Sequence, residues 1–347
     1  MLTIVGNPKA VVGGVDNHLE VHVAAAVDSV GGILGIETFE VSRAGYRGLL
    51  AWLRSFGELA LVGVEGTGSY GAGLVRCLAG AGVAVVEVDR PNRQTRHRRG
   101  KSDPVDAVAA ARAALSGQAT GSPKSRDGAV EAIRVLGIAR RSAVNGRIET
   151  LNQLRHLVFT ASPEIRRRFM GLSVAALTRE AVSLRPRPGD TVRSTTLLTI
   201  RTLGRRVSYL REETKALNRQ LHPLIRRTAP GLLEVYGVGY DSAAKLLVAA
   251  GDNPERLRSE AAWAHLCGVA PLPASSGKTT RHRLNRGGNR QANSALYHVV
   301  LARMRHHEPT RDYVARRLGE GKTMGEVARI LRRYVAREVY RHLPRPA

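Results

Sequence analysis

Two short apolar runs in this chain each stop at a carboxylate. Val11–Val15 ends at Asp16, and Leu59–Val64 ends at Glu65. A third segment, Gly100–Leu115, reads GKSDPVDAVAAARAAL and begins an alanine-rich helix whose first turn carries Asp103 and Asp106. The i, i+3 spacing puts both of these acids on one helix face. Strands that end on acids, followed by a helix that starts on acids, restrict the folds available. The local alternative is capping, with Asp103 as N-cap, Pro104 at the first helical position and Asp106 in the first turn.

The stretches between these acids supply the rest of a sheet. Leu19, Val21 and Val23 alternate with His18, Glu20 and His22, the period of a half-buried strand. On such a strand His18 and His22 share a side but lie far apart, so they read as surface histidines rather than as a metal pair. Ile33–Val41 reads as a third strand and Tyr46–Phe56 as an amphipathic helix. Leu59–Val64 is a buried strand, a helix runs through Leu78, Val83–Val88 is the next strand, and the helix from Asp103 ends near Gly117. The first strands can pair as a meander, whereas the later ones need parallel crossovers. That order fits a ribonuclease H-like α/β domain over residues 1–120, in which acids converge at the ends of the central strands and on a neighbouring helix. Metal-dependent phosphoryl transfer needs such convergence, because carboxylates hold cations that stabilise the attacking and leaving oxygens. Four carboxylates cannot all stay ionised and close together without cations between them.

One pattern competes. Gly66-Thr-Gly68-Ser-Tyr-Gly71 lies between a strand and a helix, with Glu87 about 20 residues on, as in a dinucleotide-binding fold. Glu65 immediately before the first glycine argues against it, since a carboxylate there repels a pyrophosphate unless a metal intervenes.

The charge identifies the class of partner. The 347 residues carry a formal net charge of +25, which points to a polyanion, nucleic acid before an anionic membrane. Aromatic residues are only 4%, which argues against a surface that binds mainly by stacking bases. No span approaches a membrane helix, and the first residues lack a signal-peptide pattern. The two cysteines, Cys77 and Cys267, form neither a disulfide framework nor a zinc site, as expected in a reducing cytoplasm. The basic, proline-broken run Asp89–Lys101 precedes the acidic pair, and Arg98, Arg99 and Lys101 are candidates for steering phosphates to it.

Residues 121–228 change character. Ile200, Leu203, Val207, Leu210, Thr214, Leu217, Leu221 and Leu224 recur at spacings of three and four, a coiled-coil seam. Its partner is another subunit or an earlier helix of the same chain, such as Val144–Val158. Residues 229–347 read as a separate helical domain. There Val235-Tyr-Gly237-Val-Gly239 precedes a helix, as in helix-hairpin-helix modules that hold phosphate on backbone amides. Gly268–Asn293 is a glycine- and serine-rich loop with Ser275 and Ser276 among Lys278, Arg281, Arg283 and Arg290. A serine nucleophile attacking a DNA phosphate needs such a setting of cations.

Taken together, Val15-Asp16, VGVEGTGSYG around Glu65, GKSDPVDA around Asp103 and Asp106, LCGVAPLPASSGK and RGGNRQANSALY resemble the DEDD transposases of the insertion-sequence-110 family. The resemblance covers nearly the whole chain, the middle helices only in character. It implies an N-terminal domain like the Holliday-junction resolvases, with Asp16, Glu65, Asp103 and Asp106 binding two magnesium ions. It implies Ser276 as a nucleophile that forms a phosphoserine link to DNA. It further implies a structured guide RNA that pairs with donor and target DNA, and a homo-oligomer, dimer or tetramer, whose active sites combine the acidic domain of one subunit with the serine domain of another. The chain departs from the family after Asp16, where Asn17-His18-Leu19 replaces the small or basic residues common there. Two other readings stay open on the residues alone: a metal-only junction nuclease, and a non-catalytic nucleic-acid-binding protein.

Overall fold

The computed structural model describes residues 9–88, 102–187, 189, 191–253, 256–275, 282–283, 285 and 287–344. They fall into two compact units, Met1–Arg126 and Asp127–Ala347.

The first unit is a five-stranded sheet of β1 (Ala10–Asn17), β2 (Val21–Val27), β3 (Ile33–Glu40), β4 (Glu58–Glu65) and β5 (Val85–Val88), in the order β3-β2-β1-β4-β5. Short connections make β1, β2 and β3 an antiparallel meander. The helical connections α1 (Arg43–Ser55) and α2 (Ala72–Gly80) leave β1, β4 and β5 parallel. Helix α1 begins where the Ser42 hydroxyl accepts the Gly45 N–H, and it buries Leu49, Leu50 and Leu53. With Leu74 and Leu78 of α2, these leucines cover Val11, Val15, Val62 and Val64 on one face of the sheet. Helix α3 (Asp103–Leu115) covers the other face, packing Ala107, Ala111 and Ala114 against Val12, Val23, Ala25 and Val27.

Two glycines set how close α3 lies. A Cβ on Gly14 would stand 2.2 Å from the Ala107 carbonyl oxygen and from the Ala111 nitrogen. One on Gly63 would stand 2.6 Å from the Ala110 carbonyl oxygen. Backbone therefore meets backbone across this layer, and the alanine stripe of the helix supplies the small side chains that such contact needs.

His22 differs from the expected surface histidine. It is fully buried on the α1 side of β2, its ring stacked on Tyr46 with centroids 5.6 Å apart. Burial, with a smaller contribution from His18, holds its imidazole below the ordinary value of 6.5. The unfolded chain takes up a proton at 6.5 that the folded one resists, so the contribution to stability is complete above that pH and is lost as pH falls below it. The loss approaches about 1.4 kcal/mol per pH unit. Hydrogen exchange of the β1–β2 peptides between pH 7 and pH 5 should show this weakening, and His22→Phe should reduce it.

The second unit is almost wholly helical. The seam lies on one long helix, α7 (Val192–Thr228), and Ile200, Val207, Leu221 and Ile225 are buried along it. Its partner is α4 (Ala129–Thr160) of the same chain. The pairing is antiparallel: Arg140 donates to the Asn218 side-chain oxygen at 2.7 Å, and further along Gly146 faces Leu210. Two short helices not expected from the sequence, α5 (Pro163–Phe169) and α6 (Val174–Ser183), close one end of this hairpin over Leu154, Val158 and Ile200. At the other end Val130, Ile133, Leu221 and Ile225 share a core with the C-terminal helices. Those are α8 (Pro230–Glu234), α9 (Tyr240–Ala250), α10 (Glu260–Leu266), α11 (Arg290–His306), α12 (Glu308–Gly319) and α13 (Met324–Arg341). A two-stranded ribbon pairs β6 (Leu272–Pro273) with β7 (His282–Arg283). Among the described residues no helix is long and apolar enough to cross a membrane.

Candidate active site

The glycines that admit α3 also aim the acids. Gly14 pairs with Gly63 and Val15 with Val64 across the parallel strands β1 and β4. Side chains alternate along a strand, so Asp16 and Glu65, each two residues beyond its glycine, lie on the same face as the glycines. That is the α3 face. On the helix, Asp103 stands four residues before Ala107, and Asp106 four before Ala110, so the acids extend the stripe that meets the sheet. All four acids thus lie at the C-terminal ends of β1 and β4, the end of a parallel sheet where ligands bind. Asp16 and Asp106 are buried, whereas Glu65 and Asp103 are half-buried.

The tightest group includes His18, which the alternation of the sequence assigns to the surface of a strand. Strand β1 ends at Asn17, and the chain turns back through a bond from the His18 N–H to the Val21 carbonyl at 3.0 Å. His18 therefore sits in a turn, not on a strand. Its Nε2 lies 3.1 Å from Asp16 Oδ2 and 3.3 Å from Asp103 Oδ1. Ligand atoms of Asp16, His18 and Asp103 lie within 4.8 Å of one another, a group that does not include Glu65 or Asp106. Next to it, Asn17 donates its side-chain amide to the Glu65 carbonyl at 2.6 Å, which ties the two strand ends together.

Capping does not account for Asp103. The N-cap is Ser102, one residue earlier than expected, and Asp103 and Pro104 occupy the first two helical positions. No lysine or arginine among the described residues pairs with Asp16 or Asp103. Hard carboxylate oxygens brought together from a strand end and a helix start, with no described guanidinium or ammonium paired to Asp16 or Asp103, fit a divalent cation.

The glycine-rich loop after Glu65 is used differently from a nucleotide loop. Glu87, where a dinucleotide fold places its ribose ligand, accepts the Thr67 hydroxyl at 2.6 Å. Gly71 has no room for a side chain, because the Asn17 amide fills the space that a Cβ there would need.

In the second unit, Ser275 is exposed beyond β6, and Arg283 and Arg290 are exposed on β7 and at the start of α11. Ser276, Lys278 and Arg281, like Arg98, Arg99 and Lys101, lie outside the described residues. The flanks of the loop are pinned. Asn293 donates to the Cys267 carbonyl at 2.9 Å and accepts from Arg332 Nη1 at 2.7 Å, while Asn289 caps α11 through the Gln291 and Ala292 amides. Sequence spacing gave no sign of Arg332, which lies on α13. Cys267 is buried and its thiol is pushed far above its ordinary range by that burial, so it acts as a packing residue.

A mixed sheet of this order, with carboxylates gathered at the ends of its central parallel strands, defines a ribonuclease H-like acidic domain, here followed by a largely helical region. Residues 13–163 match the DEDD transposases of IS110, and residues 229–315 match the transposase family IS116/IS110/IS902. The chain is also similar to a protein of Streptomyces coelicolor described as an uncharacterized 43.6 kDa protein of insertion element IS110. The two are 30% identical over 174 residues, 49% of this chain and 41% of the relative. The chain belongs to the IS110 family of DEDD transposases.

Proposed function

We propose that this protein cuts and rejoins DNA strands to move an insertion sequence, and that it does so with the four acids of the first unit and a serine of the second. The observation that carries the reading is the gathering of Asp16, Glu65, Asp103 and Asp106 on one face and at one end of the sheet. These residues would hold two magnesium ions, which supply Lewis-acid stabilisation of the attacking and leaving oxygens when bound.

Ser276 Oγ attacks the phosphorus of a DNA phosphodiester. Its proton passes to solvent, a bond forms between serine and phosphorus, and the bond to the 3′ oxygen breaks. The strand leaves as a 3′-hydroxyl, and its other part stays joined to the serine through its 5′ phosphate. Attack of a 3′-hydroxyl on that phosphoserine reverses the step and rejoins DNA. Lys278, Arg281, Arg283 and Arg290 bind the phosphate and the developing charge, and Arg98, Arg99 and Lys101 draw the strand toward the acids. The turn Val235–Gly239 between α8 and α9 is read as a helix-hairpin-helix-like element that grips the nucleic-acid backbone. The chain divides by role into a DEDD domain like the Holliday-junction resolvases (1–120), a linker of long, coiled-coil-like helices (121–228) and a serine domain (229–347). A structured guide RNA selects the donor and target DNA, and the working form is a homo-oligomer in the bacterial cytoplasm. The oligomer rests on the family resemblance, because the seam of α7 packs mainly on α4 of the same chain, with Ile200, Val207 and Leu221 buried and the other seam residues half-buried.

The test is a denaturing gel of labelled donor and target DNA, incubated with magnesium and protein purified together with RNA from the native flanking sequence. Wild type should yield DNA covalently attached to protein, and Ser276→Ala should yield none. Nicked DNA without an adduct would favour a metal-only nuclease. Salt-sensitive binding with neither product would favour a protein that only binds nucleic acid.

A further inference from the structure

We propose that His18 is itself a metal ligand of the acidic site, so that this site prefers a first-row transition cation such as Mn2+ to Mg2+. The inference rests on the reading of Asp16 and Asp103 as metal ligands and adds a nitrogen to them.

The position of His18 is fixed by its backbone. Ending β1 at Asn17 and closing the turn through the His18 N–H and the Val21 carbonyl brings the imidazole over the strand end, on the side of Asp16. From there Nε2 reaches one oxygen of each of two carboxylates, 3.1 Å from Asp16 Oδ2 and 3.3 Å from Asp103 Oδ1. A single N–H cannot point well at both. Two ligands at right angles around an ion, each about 2.0–2.2 Å from it, stand about 3 Å apart. The two N···O separations match the edges of such a coordination shell, and ligand atoms of Asp16, His18 and Asp103 all lie within 4.8 Å of one another.

Imidazole changes what the site selects. Mg2+ is hard, holds its waters and favours oxygen ligands. A nitrogen donor strengthens binding of first-row transition ions relative to Mg2+.

Mn2+ is the probe, added to the full-length protein without DNA. Electron spin-echo modulation reads a coordinated imidazole as a 14N coupling, independently of any strand cleavage. Wild type should show that coupling. His18→Ala and His18→Gln should lose it while still binding Mn2+ through the carboxylates. The Mg2+ excess needed to displace Mn2+ should fall at least about tenfold in both, the low end of what even outer-shell partners contribute. Bound Mn2+ without nitrogen coupling in wild type would overturn the inference and leave the carboxylate site standing. So would a coupling that persists in both variants, since another histidine would then be its source. No Mn2+ binding by wild type would overturn the metal-site reading itself, and this inference with it.

Discussion

Asp106→Asn should lower DNA strand cleavage by about three orders of magnitude or more, the scale of losing several kcal/mol of transition-state stabilisation, while the sheet stays folded. Asp106 is only 5% exposed, on the helix face that packs against β1 and β4. Asparagine keeps its shape and removes its charge. A carboxylate in such a place is held at a cost in desolvation. If it is there for a cation, the variant should lose the stabilisation that added Mg2+ gives wild type. If the acid serves only the start of the helix, the result reverses: cleavage survives, and stability falls by about 0.3–1 kcal/mol as the favourable charge near the helix N-terminus is lost. Melting curves with and without Mg2+, run beside the cleavage assay, separate the two.

Much of this site was legible in the sequence because its signals are short-range. An apolar run that stops at an acid marks a strand and its polar end together, and both Asp16 and Glu65 stand where the runs predict. The mixed sheet also follows from connection length: the short links between the first three strands allow only antiparallel neighbours, and the helical links require parallel ones. The failures have a common physical source. The β1–β2 turn, Asn17-His18-Leu19-Glu20, has no glycine or proline, and its residues continue the alternation of the strands on either side. Periodicity alone therefore ran one strand through the turn and put His18 and His22 on the same side. With the turn in place, His18 reaches the acids and His22 enters the core beside Tyr46. Leu19, 65% exposed, helped the misreading by supplying an apolar residue at the tip. The helix start was displaced by one residue because Ser102 and Asp103 are both good N-caps, and spacing does not choose between them. The partner of the α7 seam was beyond sequence spacing for a different reason: a stripe states what one helix offers, not which helix takes it.

The glycines of β1 and β4 were read in the sequence only as parts of apolar runs, yet they make the strongest claim on the fold. Gly14→Val should dislodge α3 and with it both helix-borne acids. Even a single Cβ at this position would lie 2.2 Å from two backbone atoms of the helix, Ala107 O and Ala111 N, and 2.7 Å from Ala111 Cα. No rotamer change relieves a clash with backbone, so the whole helix must move outward or the strand must bend. The expected loss is about 3 kcal/mol or more, at or above the top of the range for overpacked cores. It should appear as rapid hydrogen exchange in α3 and in the facing strands. Gly13→Ala, one residue away, is the control. Its Cβ would point to the opposite face and meet the flexible end of Leu53 at 2.9 Å, which can give way. The two variants change neighbouring residues of one strand. A large loss of Mn2+ binding in Gly14→Val with little in Gly13→Ala would mean that the metal site depends on how closely α3 approaches the sheet. Equal losses would mean that the strand as a whole, and not this contact, holds the acids in place.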